Sequence, residues 1–281
     1  MKAHLKGIAE MFNGDYLASE LYSIYATPSS GKTLFLIGEA VQAIKNGYRV
    51  LWLDTEGGFD GLWNYWRPIY DKRFDGKYND SAFFYKRFSK FEDMMAYLGE
   101  SVEFDFTKSK TEMIYHGKIK KGTPTVYDDF GRLKGKTLII IDSLTNIFRH
   151  HLVTSTQNFP VRADATGMLI STLILLAARV EAPVIATNHA SLNPTDRYQA
   201  HADMRGGNTL YYSSKYIVLL DRPRKKVLQS FRHIWAVRTP IAQDWAIDRW
   251  VKITNDGYID SSEEEIEKTI DGKNDASEQS V

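Results

Sequence analysis

The run A-T-P-S-S-G-K-T at residues 26–33 constrains this chain more than any other feature. It stands between a strand-like L-Y-S-I-Y (21–25) and a helix-like L-F-L-I-G-E-A-V-Q-A-I. A loop in that setting turns its backbone N–H groups inward and cradles phosphates at a helix N-terminus. The candidate nucleotide-binding residues are therefore Ala26, Thr27, Pro28, Ser29, Ser30, Gly31, Lys32, Thr33 and Leu34. Lys32 is the side chain expected to reach the β/γ-phosphates, and Thr33 offers a hydroxyl to Mg2+. Ala26 occupies the place where such a loop usually opens with Gly, the smallest departure available where backbone passes close to a ligand. The sequence thus predicts a nucleoside triphosphate site.

What surrounds the loop predicts an α/β core with a mainly parallel sheet flanked by helices. After the loop helix, Y-R-V-L-W-L-D (48–54) is a near-continuous apolar strand, as buried parallel strands are. A helical stretch (61–73), a strand candidate (82–88) and a helix through F-E-D-M-M-A-Y-L follow. Residues 100–134 are polar and read as an inserted hairpin or extended loop. The core resumes with T-L-I-I-I-D (137–142), a long helix (164–181) and P-V-I-A-T-N (183–188). The alternation of strand and helix argues for parallel pairing. Strand-like runs at 215–221, 231–237 and 250–254 with short connections predict an antiparallel C-terminal extension.

With 281 residues, 43% of them hydrophobic, one nucleotide-binding domain at 1–260 with an insert at about 100–134 is expected. Its longest uncharged run, 165–178, fits a buried helix, and no signal peptide is visible, so a soluble, cytoplasmic protein with no membrane partner is expected. The absence of cysteine excludes disulfides, thiolate zinc sites and cysteine nucleophiles. Residues 260–281 carry eight acidic side chains and two lysines, a net of −6 that leaves +7 on residues 1–259 of a chain whose total is +1. So acidic and poor in apolar residues, the segment 261–281 is predicted to be a mobile tail.

In open parallel sheets the ligand lies beyond the carboxyl ends of the strands. Three strand ends here are polar. I-I-I-D-S places Asp142 where a carboxylate holds Mg2+ opposite Thr33, and W-L-D-T-E places Glu56 where it can act as general base on water. Asp54, Thr55 or Asp60 could equally serve there as caps of the next helix. I-A-T-N-H puts Asn188 and His189 at the third strand end, within reach of a γ-phosphate.

Taken together, the opening I-A-E-M-F-N-G-D-Y-L-A-S-E-L-Y-S-I-Y-A-T-P-S-S-G-K-T, then D-T-E-G-G-F-D, L-I-I-I-D-S-L, A-T-N-H and R-G-G-N-T-L-Y-Y-S-S-K-Y-I-V-L-L-D-R, resemble the RecA/RadA/RadB recombinase superfamily in order and spacing. The resemblance spans roughly residues 5–260 outside the insert and implies a RecA-like P-loop core that uses ATP and Mg2+. It implies Glu56 as the glutamate that activates water, with Lys32 and His189 beside it in catalysis. Asp60 and Trp63 fall where bacterial RecA contacts adenine, and an indole is suited to stacking on a base. Archaeal and eukaryotic relatives have Arg at the position of Asp60, and His189 stands in place of their Gln.

Two loops, 149–163 and 190–207, match the family's DNA-binding loops. They supply Arg149, His150, Arg162, Arg197, Tyr198 and Arg205 as candidate contacts, cations for phosphates beside Phe159, Tyr198 and Met204 for bases. The chain starts almost at the core, without a match to the N-terminal DNA-binding domain or the Phe-x-x-Ala polymerisation strand of archaeal recombinases. The resemblance is therefore to core-only, RadB-like paralogues of archaeal or viral type. The implied function is an ATP-dependent, single-stranded-DNA-binding ATPase of recombination or repair, with a recombinase or a second copy as further partner. Two alternatives stay open: a mediator that binds ATP with little hydrolysis, and a hexameric helicase or KaiC-like ATPase.

Overall fold

The computed structural model describes residues 1–57, 59–73, 80–105, 112–130, 136–148, 159–191, 203–204 and 207–278. In chain order, α1 (Lys6–Met11), β1 (Leu21–Ala26), α2 (Lys32–Lys45), β2 (Arg49–Asp54), α3 (Phe59–Arg73), β3 (Phe83–Arg87) and α4 (Phe91–Tyr97) form the first half. The hairpin β4 (Glu100–Asp105) and β5 (Glu112–Lys118) and the short α5 (Val126–Phe130) follow. Then come β6 (Thr137–Asp142), α6 (Phe159–Val180), β7 (Val184–Ser191), β8 (Asp203–Met204) and α7 (Gly207–Ser213). The chain closes with β9 (Tyr216–Asp221), β10 (Phe231–Arg238), β11 (Ile247–Thr254), β12 (Gly257–Ser261) and α8 (Glu263–Glu278).

The main sheet runs in the order β12-β11-β10-β9-β1-β7-β6-β2-β3. From β3 to β9 every pairing is parallel, and β10, β11 and β12 are added antiparallel. The period of two along each strand divides its side chains between two cores. Val50, Trp52, Leu138 and Ile140 face one side, where α1, α2 and α3 contribute Ile8, Phe35, Ile37 and Tyr70. Leu51, Leu53, Ile139 and Ile141 face the other, with Met94 and Met95 of α4 and Leu169, Leu173 and Leu176 of α6. Buried on both faces, these strands are apolar throughout, which is why they read as continuous runs in the sequence.

The insert is an antiparallel hairpin in a sheet of its own, packed through Val102 and Phe104 onto the α4 and α6 side. Helix α6 is long and apolar enough to cross a membrane. Its Ala165, Leu169, Ile170, Leu173, Leu176, Ala177 and Val180 are instead buried in the second core, as the run 165–178 suggested. It begins at Phe159, five residues earlier than the sequence reading placed it, because Pro160 fits a first helical turn, where no N–H partner is needed.

Residues 263–278, within the segment that composition marks as a tail, form α8. The Glu265 N–H donates to the Ser262 hydroxyl at 3.3 Å, as the first turn of a capped helix requires. Lys252 reaches Glu265 at 2.7 Å, and Ile266 packs with Leu228 and Phe231.

Candidate functional site

The loop 26–33 bends through two left-handed residues, Ser29 at φ 60° and Gly31 at φ 94°. Thr27 and Ser30 hydroxyls bond each other at 2.8 Å, and the Phe35 N–H closes the first turn of α2 onto the Gly31 carbonyl at 2.9 Å. Behind the loop, the Ser30 carbonyl accepts from Arg232 Nε at 2.7 Å and from the Tyr258 hydroxyl at 3.0 Å. A Cβ on Gly31 would lie 2.4 Å from that hydroxyl, so only glycine fits. Lys32 opens α2 and is buried. Ala26 and Leu34, both expected at the nucleotide, belong to the core cluster through their side chains.

Sheet register brings the other strand ends beside this loop. Ala26 on β1 pairs with His189 on β7, and Asp54 on β2 pairs with Asp142 on β6. The Thr33 hydroxyl donates to Asp142 Oδ2 at 2.7 Å, and the Thr187 hydroxyl donates to Oδ1. Glu56 Oε1 and His189 Nε2 are 2.7 Å apart. Lys32 and Thr33, named from the loop, and Asp142, Glu56 and His189, named from three separate strand ends, thus converge at one end of the sheet.

Asp54 and Thr55 build the turn that presents Glu56. Asp54 Oδ1 accepts the Glu56 and Gly57 N–H groups at 2.8 and 2.9 Å, and Oδ2 accepts the Tyr85 hydroxyl at 2.7 Å. The Thr55 hydroxyl donates to the Ser143 carbonyl at 2.7 Å, and Asn146 Nδ2 donates to the Thr55 carbonyl at 2.8 Å. Asn188 is fully buried; its Oδ1 accepts from the Thr145 hydroxyl and from the His189 N–H at 2.9 Å. It therefore orients the β7 end. Asp60 is exposed in the first turn of α3. The Trp63 ring stacks on Phe83 at 4.1 Å and on Phe59 at 5.3 Å, so at least part of the indole is engaged with the protein itself.

The two carboxyls of the site are driven apart. Burial, followed by the charge of Glu56, raises Asp142 to about 6 against the hydroxyl bonds it accepts. Glu56 is also pushed up by burial, but the His189 hydrogen bond and the charges of His189 and Lys32 outweigh that and bring it to about 2. Among the described residues no cluster of three or more His, Cys, Asp or Glu could cage a metal. A buried carboxylate beside a threonine hydroxyl is a hard-oxygen pair of the kind Mg2+ uses when substrate phosphates complete its shell.

Of the expected DNA contacts, Arg149, His150, Arg197, Tyr198 and Arg205 lie outside the described residues. Arg162, expected in a loop, is on α6. The second loop is shorter than the sequence suggested, since β7 continues to Ser191 and its Ala190 and Ser191 pair with Met204 and Asp203 of β8. Thr187, which the sequence reading did not single out, could have been found as a polar residue inside a buried strand. Arg232 and Tyr258 carry no local signal, standing 202 and 228 residues from the carbonyl they hold.

No protein-family model matches the chain. It is 24% identical over 229 residues to the DNA repair and recombination protein RadB of Methanococcus maripaludis strain C7, covering 80% of this chain and 89% of that protein. The protein of the same name from strain C5 is 23% identical over 231 residues, covering 80% and 88%. A crystal structure of the RadB recombinase superposes with a TM-score of 0.63 at 18% identity, covering 93% of this chain and all of the other. The likeness in sequence and in fold makes the chain RadB-like, with the RecA-superfamily architecture.

Proposed function

We propose that this RadB-like chain is a Mg2+-dependent ATPase of DNA recombination or repair that binds single-stranded DNA. The observation that carries the reading is the convergence of Lys32, Thr33, Asp142, Glu56 and His189 at one end of the parallel sheet. Loop N–H groups and Lys32 would hold the phosphates, with Thr33 and Asp142 holding Mg2+. When bound, Mg2+ neutralises charge on the phosphate oxygens. A Glu56 carboxylate oxygen would accept the proton of the attacking water, while His189, bonded to Oε1, sets the carboxylate's orientation. DNA enters by likeness to proteins named for DNA repair and recombination, and single strands by the basic and aromatic residues of 149–162 and 197–205, with release or retention following the state of the γ-phosphate at His189.

A second reading draws on the same pair. A carboxyl held at about 2 by His189 is a weak base near neutral pH. It favours a mediator that uses ATP as a conformational ligand and turns it over slowly. The test is Mg2+-dependent ATP hydrolysis with and without single-stranded DNA, using Lys32→Ala and Glu56→Gln. DNA-stimulated turnover, abolished by Lys32→Ala and reduced 100-fold or more by Glu56→Gln, as removal of a general base does, supports the ATPase. ATP-dependent DNA binding with negligible turnover supports the mediator. Absence of nucleotide binding and of DNA binding refutes both.

A further inference from the structure

We propose that Arg232 and Tyr258 are positioning residues that hold the phosphate loop in its anion-binding curvature from behind, a role that rests on the nucleotide-binding reading above. An anion nest works only while successive N–H groups converge and the carbonyls between them point away. The carbonyl at issue is that of Ser30, directly before Gly31 and Lys32. It accepts from Arg232 Nε at 2.7 Å and from the Tyr258 hydroxyl at 3.0 Å, and all three residues are buried. Two donors on one carbonyl fix the peptide plane, and that plane sets where the following N–H points. Gly31 is part of the same fit, since it leaves room for the hydroxyl.

Both donors come from the antiparallel extension, Arg232 from β10 and Tyr258 from β12. Each is itself fixed. Arg232 Nη1 donates to the Gln229 and Phe231 carbonyls at 2.8 and 2.6 Å. The Tyr258 N–H donates to the Tyr70 hydroxyl at 2.9 Å. Among the described residues no carboxylate lies within ion-pair distance of Arg232. A guanidinium stays charged even where burial opposes it. Asp221, farther off, offsets part of its charge; the remaining positive field, little screened by solvent, falls on the loop where phosphate charge would sit.

The experiment measures Kd for Mg-ATP and Mg-ADP by calorimetry, with thermal melting of the nucleotide-free protein alongside, for wild type, Tyr258→Phe, Arg232→Lys and Tyr70→Phe. The Phe variant keeps the ring and removes one hydrogen bond to Ser30, so a rise in Kd of about three- to tenfold is expected. Because the loop holds phosphates shared by the two nucleotides, ATP and ADP should weaken by the same factor. Tyr70→Phe strips a partner from the backbone N–H of Tyr258 and keeps the Tyr258 hydroxyl that reaches Ser30. It should lower Tm while raising both Kd values by less than Tyr258→Phe does. If Tyr258→Phe also lowers Tm with both Kd values unchanged, its bond to Ser30 is merely structural and the proposal is overturned. Should Arg232→Lys fail to fold, Tyr258→Phe still decides. Wild type that binds neither nucleotide overturns this inference together with the nucleotide-binding reading, whereas wild-type binding with an indifferent Tyr258→Phe overturns this inference alone.

Discussion

Replacing Asp142 with Asn should change how the stability of the nucleotide-free, metal-free protein depends on pH. Asp142 is 3% exposed and its carboxyl is raised from 3.8 to about 6 by burial and by Glu56. Below pH 3.8 it is protonated in both the folded and the unfolded chain and makes no difference. Between 3.8 and 6 the unfolded chain ionises while the folded one resists, so stability present at low pH is lost as pH rises. Above 6 both forms are ionised and the penalty is constant. The gap, at about 1.4 kcal/mol per pH unit, comes to about 3 kcal/mol. Asn cannot ionise and escapes it. Losses in hydrogen bonding to Thr33 and Thr187 shift the variant's curve without changing its slope, so they drop out of the comparison between two pH values. For a chain of this size about 2–4 °C in Tm accompanies each kcal/mol. At pH 4 the unfolded carboxyl is already more than half ionised, so about 2.4 kcal/mol of the gap opens between pH 4 and pH 8, and the Tm of Asp142→Asn relative to wild type should rise by roughly 5–10 °C over that range, read by scanning fluorimetry in EDTA. Parallel curves for the two proteins across that range would refute the reasoning.

Two further outcomes test the framework around the site. Gly31→Ala places a Cβ 2.4 Å from the hydroxyl of the fully buried Tyr258 at φ 94°. It should cost about 2 kcal/mol or more in urea denaturation and weaken nucleotide binding together with stability. Ile266→Ala removes the α8 side chain that packs with Leu228 and Phe231. It should cost about 2 kcal/mol, and hydrogen exchange should show amides of residues 263–269 opening while those of β1 stay protected; uniform protection of α8 would count against its being held by that contact.

Those residues whose structural role depends on local chemistry were the most legible in the sequence. β1, β2, β6 and β7 announce themselves because burial on both faces leaves unbroken apolar runs, and Asp142, Glu56 and His189 stand out as polar ends to such runs. Leu34 and Ala26 match the loop by spacing, yet their side chains turn to the core, because spacing specifies backbone and not side-chain direction. α8 escaped because composition averages over the whole segment, whereas the helix is started by one pair, Ser262 and Glu265. Asp54 was one of three equivalent carboxyl or hydroxyl caps until tertiary contact with Tyr85 separated them. The grip of Arg232 and Tyr258 on Ser30 depends on antiparallel strands folding back across the sheet, a placement that no short window of sequence encodes.

The four adjacent strands β2, β6, β7 and β1 draw Glu56, Asp142, His189 and Lys32 from positions scattered over more than half of the chain. No fragment short of these four strands contains the four residues, and each parallel neighbour must be reached by a long crossover, the slowest kind of contact to make. On the nucleotide-binding reading proposed above, affinity would not grow gradually as the chain condenses; it would arrive with the last of these four pairings. A ligand bound there favours only fully threaded molecules, by mass action at its own concentration. In a cell where ATP is abundant, the nucleotide would serve as an inspector of the finished fold before it served any other purpose.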